Sequence, residues 1–321
     1  MLHATLPIPG VAPMTRRAFG PFLLPLLILL AAPPAGAQPE DWPLVRAKTE
    51  AALKAIVEEA DGVLGVCAVD LRSGERLAVN HDLVFPQASA IKVAVLMELE
   101  RRIEAGSIDP RETMPVRAAD IAGGSGVLSS FEDGASRLSL RDLASVMITA
   151  SDNTATNMLI GKLGMDGVNG MLAGLGMRET RLRRRMMDQQ ASLRGEENTS
   201  TPAEAARIMA LLGKGEFVNP AVSARVVKTL AAGKTAGGIV RAAAPAGTSV
   251  AWKAGEISGV VTEWALVELP GRPYAVALMV KLATPEPASA PLQAAARIVQ
   301  EYFHRLARST KYGTYGPAPG K

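Results

Sequence analysis

One cysteine, Cys67, stands among 321 residues, so no internal disulfide can form in any compartment. It lies in the strand-like run Val63-Leu64-Gly65-Val66-Cys67-Ala68-Val69, where it reads as a small buried hydrophobe. Histidine is almost as scarce: beyond residue 37 only His81 and His304 remain, and both read as surface residues. A Ser-His-Asp hydrolase needs a histidine among its site motifs and a zinc site usually needs several, so neither mechanism is supported. The formal net charge is +4, and two of the positive charges are Arg16 and Arg17. Nothing in so even a balance points to nucleic acid or to an anionic membrane surface. Aromatic residues make up only 4% of the chain, yet 48% is apolar, enough to bury a sizeable core in one or two lobes.

The one long apolar run is Phe22 to Ala32, interrupted by Pro25 and well short of the ~20 residues that span a bilayer. Thr15-Arg16-Arg17-Ala18-Phe19 precedes it and Ala35-Gly36-Ala37 follows. That order predicts a cleaved signal peptide over residues 1–37, of the twin-arginine kind, with Met14 as a plausible start. A periplasmic or secreted protein is expected, with no stable membrane insertion after cleavage.

Val45 to Ala60 has helical spacing, and two strand-like runs follow, separated by Arg72-Ser73-Gly74-Glu75. Runs at about 248–254, 260–269 and 274–282 read as three further strands. Leu292, Ala295, Ala296, Val299, Tyr302, Phe303 and Leu306 then trace the apolar face of a closing helix. Between these ends, residues 86–230 are mostly helical, with helices over Ser89–Ala105, Ser139–Leu163, Val168–Leu175 and Thr201–Leu212. The fold class is therefore α/β of the α+β kind. An antiparallel five-stranded sheet with flanking helices is built from both termini, and an all-helical lobe is inserted over about 86–230. The domain is expected to span 38–308, with a polar tail over 309–321.

Phe85-Pro86-Gln87-Ala88-Ser89-Ala90-Ile91-Lys92 enters an apolar helix. A serine in the first turn has a backbone N–H free to support a developing oxyanion. The lysine three residues on shares its helix face and can reach the hydroxyl, and an apolar site lowers its proton affinity enough to make it a base. Alone this pattern is weak, since about one chance match is expected at this length. Ser151-Asp152-Asn153 is a second cluster, interrupting an otherwise apolar helical stretch; structural capping is its other reading. A third, Trp252-Lys253-Ala254-Gly255, ends a strand.

In this order, 62 and 102 residues apart, the three clusters resemble those of the class A β-lactamases and, more distantly, the penicillin-binding proteins. The likeness runs from about residue 45 to 307. It implies that Ser89 attacks a lactam carbonyl while Lys92 takes its proton, and that Ser151 passes a proton to the leaving nitrogen. Asn153 would hold Lys92 and the substrate amide, and Lys253 would attract the substrate carboxylate. The N–H groups of Ser89 and Glu256 would form the oxyanion hole, with Gly255 letting backbone approach substrate. It implies no cofactor and no metal, and a monomer acting on a small β-lactam or a peptidoglycan stem peptide.

Several positions depart from the family. Members that hydrolyse penicillins carry a glutamate just beyond the Thr-Arg-Leu segment, whereas here Thr180-Arg181-Leu182 leads into Arg183-Arg184-Arg185-Met186-Met187-Asp188. Counting back from Asn198-Thr199-Ser200-Thr201-Pro202 makes the loop one residue short and puts Arg185 at the base position; Asp188 is the nearest carboxylate. The arginine run reads as a solvated face, with Arg183 anchoring the loop through Asn198, and Met186 and Met187 packed beneath it. Ala254 replaces a hydroxyl residue, and Thr262-Glu263 stand where many members offer an arginine. Three functions remain open: a slow β-lactam hydrolase, a D-alanyl-D-alanine carboxypeptidase or related acyl-serine amidase or esterase, and a binding protein that keeps its acyl adduct.

Overall fold

Val, Ala and Leu fill β1 (Val63–Asp70), β2 (Arg76–Val79), β3 (Val250–Ile257), β4 (Val260–Val267) and β5 (Tyr274–Lys281). Such continuous apolar runs belong to strands covered on both faces. The strands form one antiparallel sheet in the order β2-β1-β5-β4-β3, so the first strand of the chain pairs with the last, from Val63 opposite Lys281 to Asp70 opposite Tyr274. The computed structural model describes residues 1–2, 41–233, 238–284 and 289–315. Beyond its first two residues the expected leader lies outside these, as does the end of the tail at 316–321. Contacts divide the chain after Gly36, and everything below concerns the unit from Ala37 onward.

One face of the sheet, bearing Leu64, Val66, Val276 and Leu278, packs against α1 (Trp42–Glu59) and α10 (Ser289–Arg308). All seven residues of the expected apolar face of the closing helix are buried. The indole of Trp42 donates to the Tyr302 hydroxyl at 2.9 Å, joining the two terminal helices. On the other face Cys67, Trp264, Ala277 and Met279 meet the helical core, and α7 (Pro202–Gly213) lies along β1 and β5. Cys67 is buried, and burial pushes its thiol up to about 11.

At the centre of the helices runs α2 (Lys92–Glu104), every residue of which is buried from Lys92 to Glu100. Its two buried acids are answered by cations: Glu98 by Arg101 and Arg102, Glu100 by Arg141 and Arg225. Around it stand α3 (Leu140–Thr149), α4 (Asn153–Leu163), α5 (Met165–Gly174) and α8 (Pro220–Ala231). Short helices α6 (Gln189–Leu193) and α9 (Ile239–Ala243) complete the set. Ser139, Asp152, Thr201 and Asn219 each cap a helix by accepting a backbone N–H in its first turn. Among the described residues no helix is long and apolar enough to cross a membrane.

Two expected helices differ in ways that matter for the site. The stretch Ser139–Leu163 is not continuous: Ser151 adopts a left-handed backbone, φ 53°, between α3 and α4. Asp152 compensates for the break. One carboxylate oxygen caps α4 at Ala155, and the other accepts from Val127 and Leu128 at 2.7 and 2.8 Å. The helix expected from Ser89 opens instead as a 3₁₀ turn, Ala88–Ile91, with α2 proper beginning at Lys92. Further along, α5 begins at Met165 rather than Val168, because the turn signal of Gly164 at φ 73° ends one residue earlier.

Candidate active site

Ser89 is positioned by what precedes it. Phe85 and Pro86 pair with Ser200 and Thr199, and the Gln87 N–H donates to the Asn198 carbonyl at 2.8 Å. The fully buried Gln87 side chain donates to the Phe85 carbonyl and accepts from the Trp264 indole. Ala88 then takes a left-handed backbone, φ 44°, which turns Ser89 onto the end of α2. Non-glycine residues rarely adopt this region, and where they do the strain often marks a functional site. Among the described residues no group hydrogen-bonds the Ser89 hydroxyl, which faces a cavity of about 440 Å³.

The edge strand β3 passes directly beside this turn. A side chain at Gly255 would put its Cβ 2.3 Å from the Gln87 carbonyl oxygen and 2.7 Å from the Ser89 and Ala90 nitrogens. A close approach at Gly255 is thus made between two segments of the chain's own backbone. All three neighbours are backbone, so nothing flexible can give way. Gly255→Ala is expected to cost about 1–3 kcal/mol, read as a lower midpoint in denaturant, and to impair acylation by displacing Ser89. Unchanged stability and acylation together would show that the two segments part without consequence.

Lys92 is fully buried, and its amine meets the Ser151 carbonyl at 2.6 Å, the Asn153 Oδ1 at 2.8 Å and the Ser151 hydroxyl at 3.2 Å. Carbonyl oxygens only accept, so two N–H groups are committed to Ser151 and Asn153. The third tetrahedral position holds either a proton or a lone pair, next to the Ser151 hydroxyl. Burial first, and then the nearby charge of Lys253, push this amine well below the usual lysine range, with Asp152 opposing. The left-handed backbone at Ser151 is what brings its carbonyl to Lys92. Asn153 uses its amide nitrogen on the Gly123 carbonyl at 2.9 Å, tying the loop over the site to α4.

Lys253 is also buried and donates to its neighbour's carbonyl, Ala254, at 2.6 Å. Burial lowers it to about 8, while Glu263 on the adjacent strand raises it. Glu256 is exposed and, with Ser258, lines the cavity wall opposite Met186, Met187 and Asp188.

The loop from 183 to 198 is held by Asn198 and Asn157. Asn198 accepts the N–H groups of Arg183 and Arg184 and donates to the Arg184 carbonyl. Arg184 pairs with Glu197 at 2.8 Å, so the arginine run is only partly a solvated face. The side chain that reaches the cavity is Met186, not Arg185, which is exposed and lies toward Gly161 on α4. The reason is Asn157, one turn beyond Asn153, whose amide clamps both the N–H and the carbonyl of Met186. Met186 is buried, whereas Met187, expected to pack beneath the loop, is left-handed at φ 62°, exposed, and set against Gly124. Asp188 reaches the cavity, but its Oδ1 caps α6 by accepting from Ala191 at 3.0 Å. Gln87 and Asn157 carried no role in the sequence reading; the Asn-x-x-x-Asn spacing of 153 and 157, one helix face, was the available signal.

Among the described residues no group of three or more His, Cys, Asp or Glu side chains could hold a metal ion. The chemistry on offer is that of a free serine hydroxyl, a buried amine of lowered basicity, a second serine and a second buried lysine.

Comparison with known proteins meets this arrangement from outside. β-Lactamase SME-1 of Serratia marcescens is 27% identical over 220 residues, covering 67% of this chain and 74% of its own. β-Lactamase L2 of Stenotrophomonas maltophilia is 31% identical over 225 residues, covering 68% and 71%. Among solved structures, a point mutant of PBP-A, captured as an acyl-enzyme complex with penicillin G, superposes with a TM-score of 0.73 at 28% identity, covering 80% of this chain and 97% of that one. The model of the β-lactamase enzyme family matches residues 48–303. With a match over most of its length, and with two lysines and two serines gathered at the end of α2, this chain belongs to the β-lactamase enzyme family.

Proposed function

We propose that the protein opens β-lactam rings through a covalent acyl adduct on Ser89, formed quickly and released slowly. What carries the reading is the free Ser89 hydroxyl on a cavity, with a buried amine of lowered basicity one turn away. In its neutral form Lys92 donates two N–H bonds to Ser151 and Asn153 and keeps a lone pair for the Ser89 proton. Ser89 Oγ bonds to the lactam carbonyl carbon, and the oxyanion is met by the N–H groups of Ser89 and Glu256. As the C–N bond breaks, the Ser151 hydroxyl gives its proton to the leaving nitrogen and recovers one from Lys92, with which it is already in contact. Lys253 supplies positive charge for the substrate carboxylate. Export through the leader fits a substrate met outside the cytoplasm.

Slow release rests on Met186. A thioether cannot take a proton from water, and Met186 lines the cavity while Arg185, the residue that the sequence count put at the base position, does not. The same observation favours a second reading, a D-alanyl-D-alanine carboxypeptidase or an acyl-trapping protein, in which a stem peptide is the natural acyl donor. Intact-protein mass spectrometry over time, after adding a penicillin and separately a cephalosporin, tests the proposal. An adduct at one per chain, mapped to the Ser89 peptide and outlasting the burst of product, is expected. Steady turnover with no trapped adduct overturns slow release, and no adduct with no product overturns the lactam reading.

A further inference from the structure

The side chain of Met187 crosses from the 183–198 loop to the loop at Gly124. A Cβ placed on Gly124 would lie 3.2 Å from the Met187 Sδ, 3.7 Å from its Cε and 2.9 Å from the Asn153 Nδ2. The thioether therefore fills the space that a side chain at position 124 would take, next to the amide of Asn153. All three residues line the same cavity as Ser89. Little about Met187 serves the core. It is 48% exposed, and its left-handed backbone is one that non-glycine residues rarely adopt. The Gln189 N–H holds that turn by donating to the Met187 carbonyl at 3.0 Å. An apolar group kept half in solvent, on a backbone angle that costs energy, is turned toward the cavity and not toward the packing beneath the loop.

We infer that Met187 is a specificity-determining residue for the reaction, the surface against which the acyl side chain of the substrate packs, and that it favours acyl donors whose side chain is apolar and aromatic. The inference rests on the acyl-serine reading above. In that reading Asn153 holds the amide that joins the lactam ring to its side chain, so the atoms just past the amide come to the thioether beside it. Sulfur on an unbranched chain adapts to the shape it meets and makes favourable contacts with the edges of aromatic rings. Gly124 contributes no side chain of its own, which leaves the choice to Met187. The neighbouring Met186 is buried and presents less surface to the cavity. Ile257, exposed at the end of β3, adds a second apolar group to the lining.

Two probes that differ by one phenyl ring test this: benzylpenicillin and 6-acetamidopenicillanic acid, which keeps the same nucleus and amide. The second-order rate of Ser89 acylation is measured with each, and the quantity read is their ratio. Whatever a substitution does to the base, the oxyanion hole or the amide acts on both probes and cancels. The ratio should fall by roughly 10-fold in Met187→Gly, where glycine suits the left-handed backbone, and return toward wild type in Met187→Leu, which restores the apolar bulk. A ratio unchanged in Met187→Gly overturns the inference, as does a leucine variant no better than the glycine one, since the lost surface would then not be what the ring had met. A second measurement needs no variant. Hydrogen peroxide converts an accessible thioether to the sulfoxide and is itself reduced to water, and peptide mass spectrometry follows this at Met187 against Met165, half-buried and outside the cavity. Met187 should oxidise several-fold more slowly in the benzylpenicillin adduct than in the acetamido adduct, and equal rates overturn the inference. If neither probe acylates the protein, the acyl-serine reading fails and takes this inference with it. Acylation by both probes at a ratio indifferent to Met187 sinks the inference alone.

Discussion

Met186→Glu is expected to shorten the life of the Ser89 adduct by ~10²–10⁴, the factor a positioned general base contributes. The backbone of Met186 is held from both sides by Asn157, so the substitution changes the side chain and leaves its anchor in place. Arg184, Asp188 and Glu256 are the charged residues lining the cavity; Arg184 favours an ionised carboxylate there and the two acids oppose it. Burying the new acid should lower stability by ~1–3 kcal/mol. The measurement is the decay of the penicillin adduct by mass spectrometry after excess drug is removed. A lifetime equal to wild type would mean that water does not approach the ester from the Met186 side. In the same assay Asp188→Asn separates a loop that plays no part, which leaves the wild-type lifetime unchanged, from a carboxylate that draws the slow water, which lengthens it.

Ser89→Ala should abolish the adduct altogether, and Lys92→Ala should slow its formation by at least ~100-fold, since a serine hydroxyl is a poor nucleophile without a base. The two variants fail differently. The first leaves nothing to acylate at any concentration, and the second still reaches one adduct per chain at long times. Stopped-flow mixing with a chromogenic cephalosporin, read against intact mass, distinguishes them. Acylation of Lys92→Ala at the wild-type rate would move the base to Lys253 acting through Ser151. An adduct persisting in Ser89→Ala would overturn the site assignment.

How much of this was legible depended on how far apart the partners lie. Ser89 and Lys92 are neighbours on one helical turn, so their shared place at the start of α2 follows from spacing alone. Ser151 and Asn153 announced themselves as polar residues in an apolar stretch, but the break in the helix did not. It requires Asp152 to reach the N–H groups of Val127 and Leu128, a contact no local pattern encodes. Lys253 and Gly255 reach Ser89 only through the sheet, and their place came from resemblance to a family rather than from any periodicity. Registration of the 183–198 loop was ambiguous by one residue, and counting from its far side gave Arg185. A clamp from another helix, Asn157, is what brings Met186 rather than Arg185 to the cavity. Glu263 was seen as a departure, while its role as the anchor of α9 depends on a five-residue helix too short to show a period.

Pairing of β1 with β5 has a kinetic meaning as well. Val63 must wait for Lys281, about two hundred residues later, before the middle of the sheet can close, and loops of that size make folding slow. The turn that carries Ser89 belongs to the early part of the chain, and the strand that braces it at Gly255 to the late part. Neither half holds the hydroxyl in place by itself, because the left-handed Ala88 is supported by Trp264 and Thr262 through Gln87. Competence to be acylated therefore arises only when β3 and β4 dock. A labelled penicillin pulsed into refolding protein would count completed molecules, one covalent mark for each chain whose two ends have met.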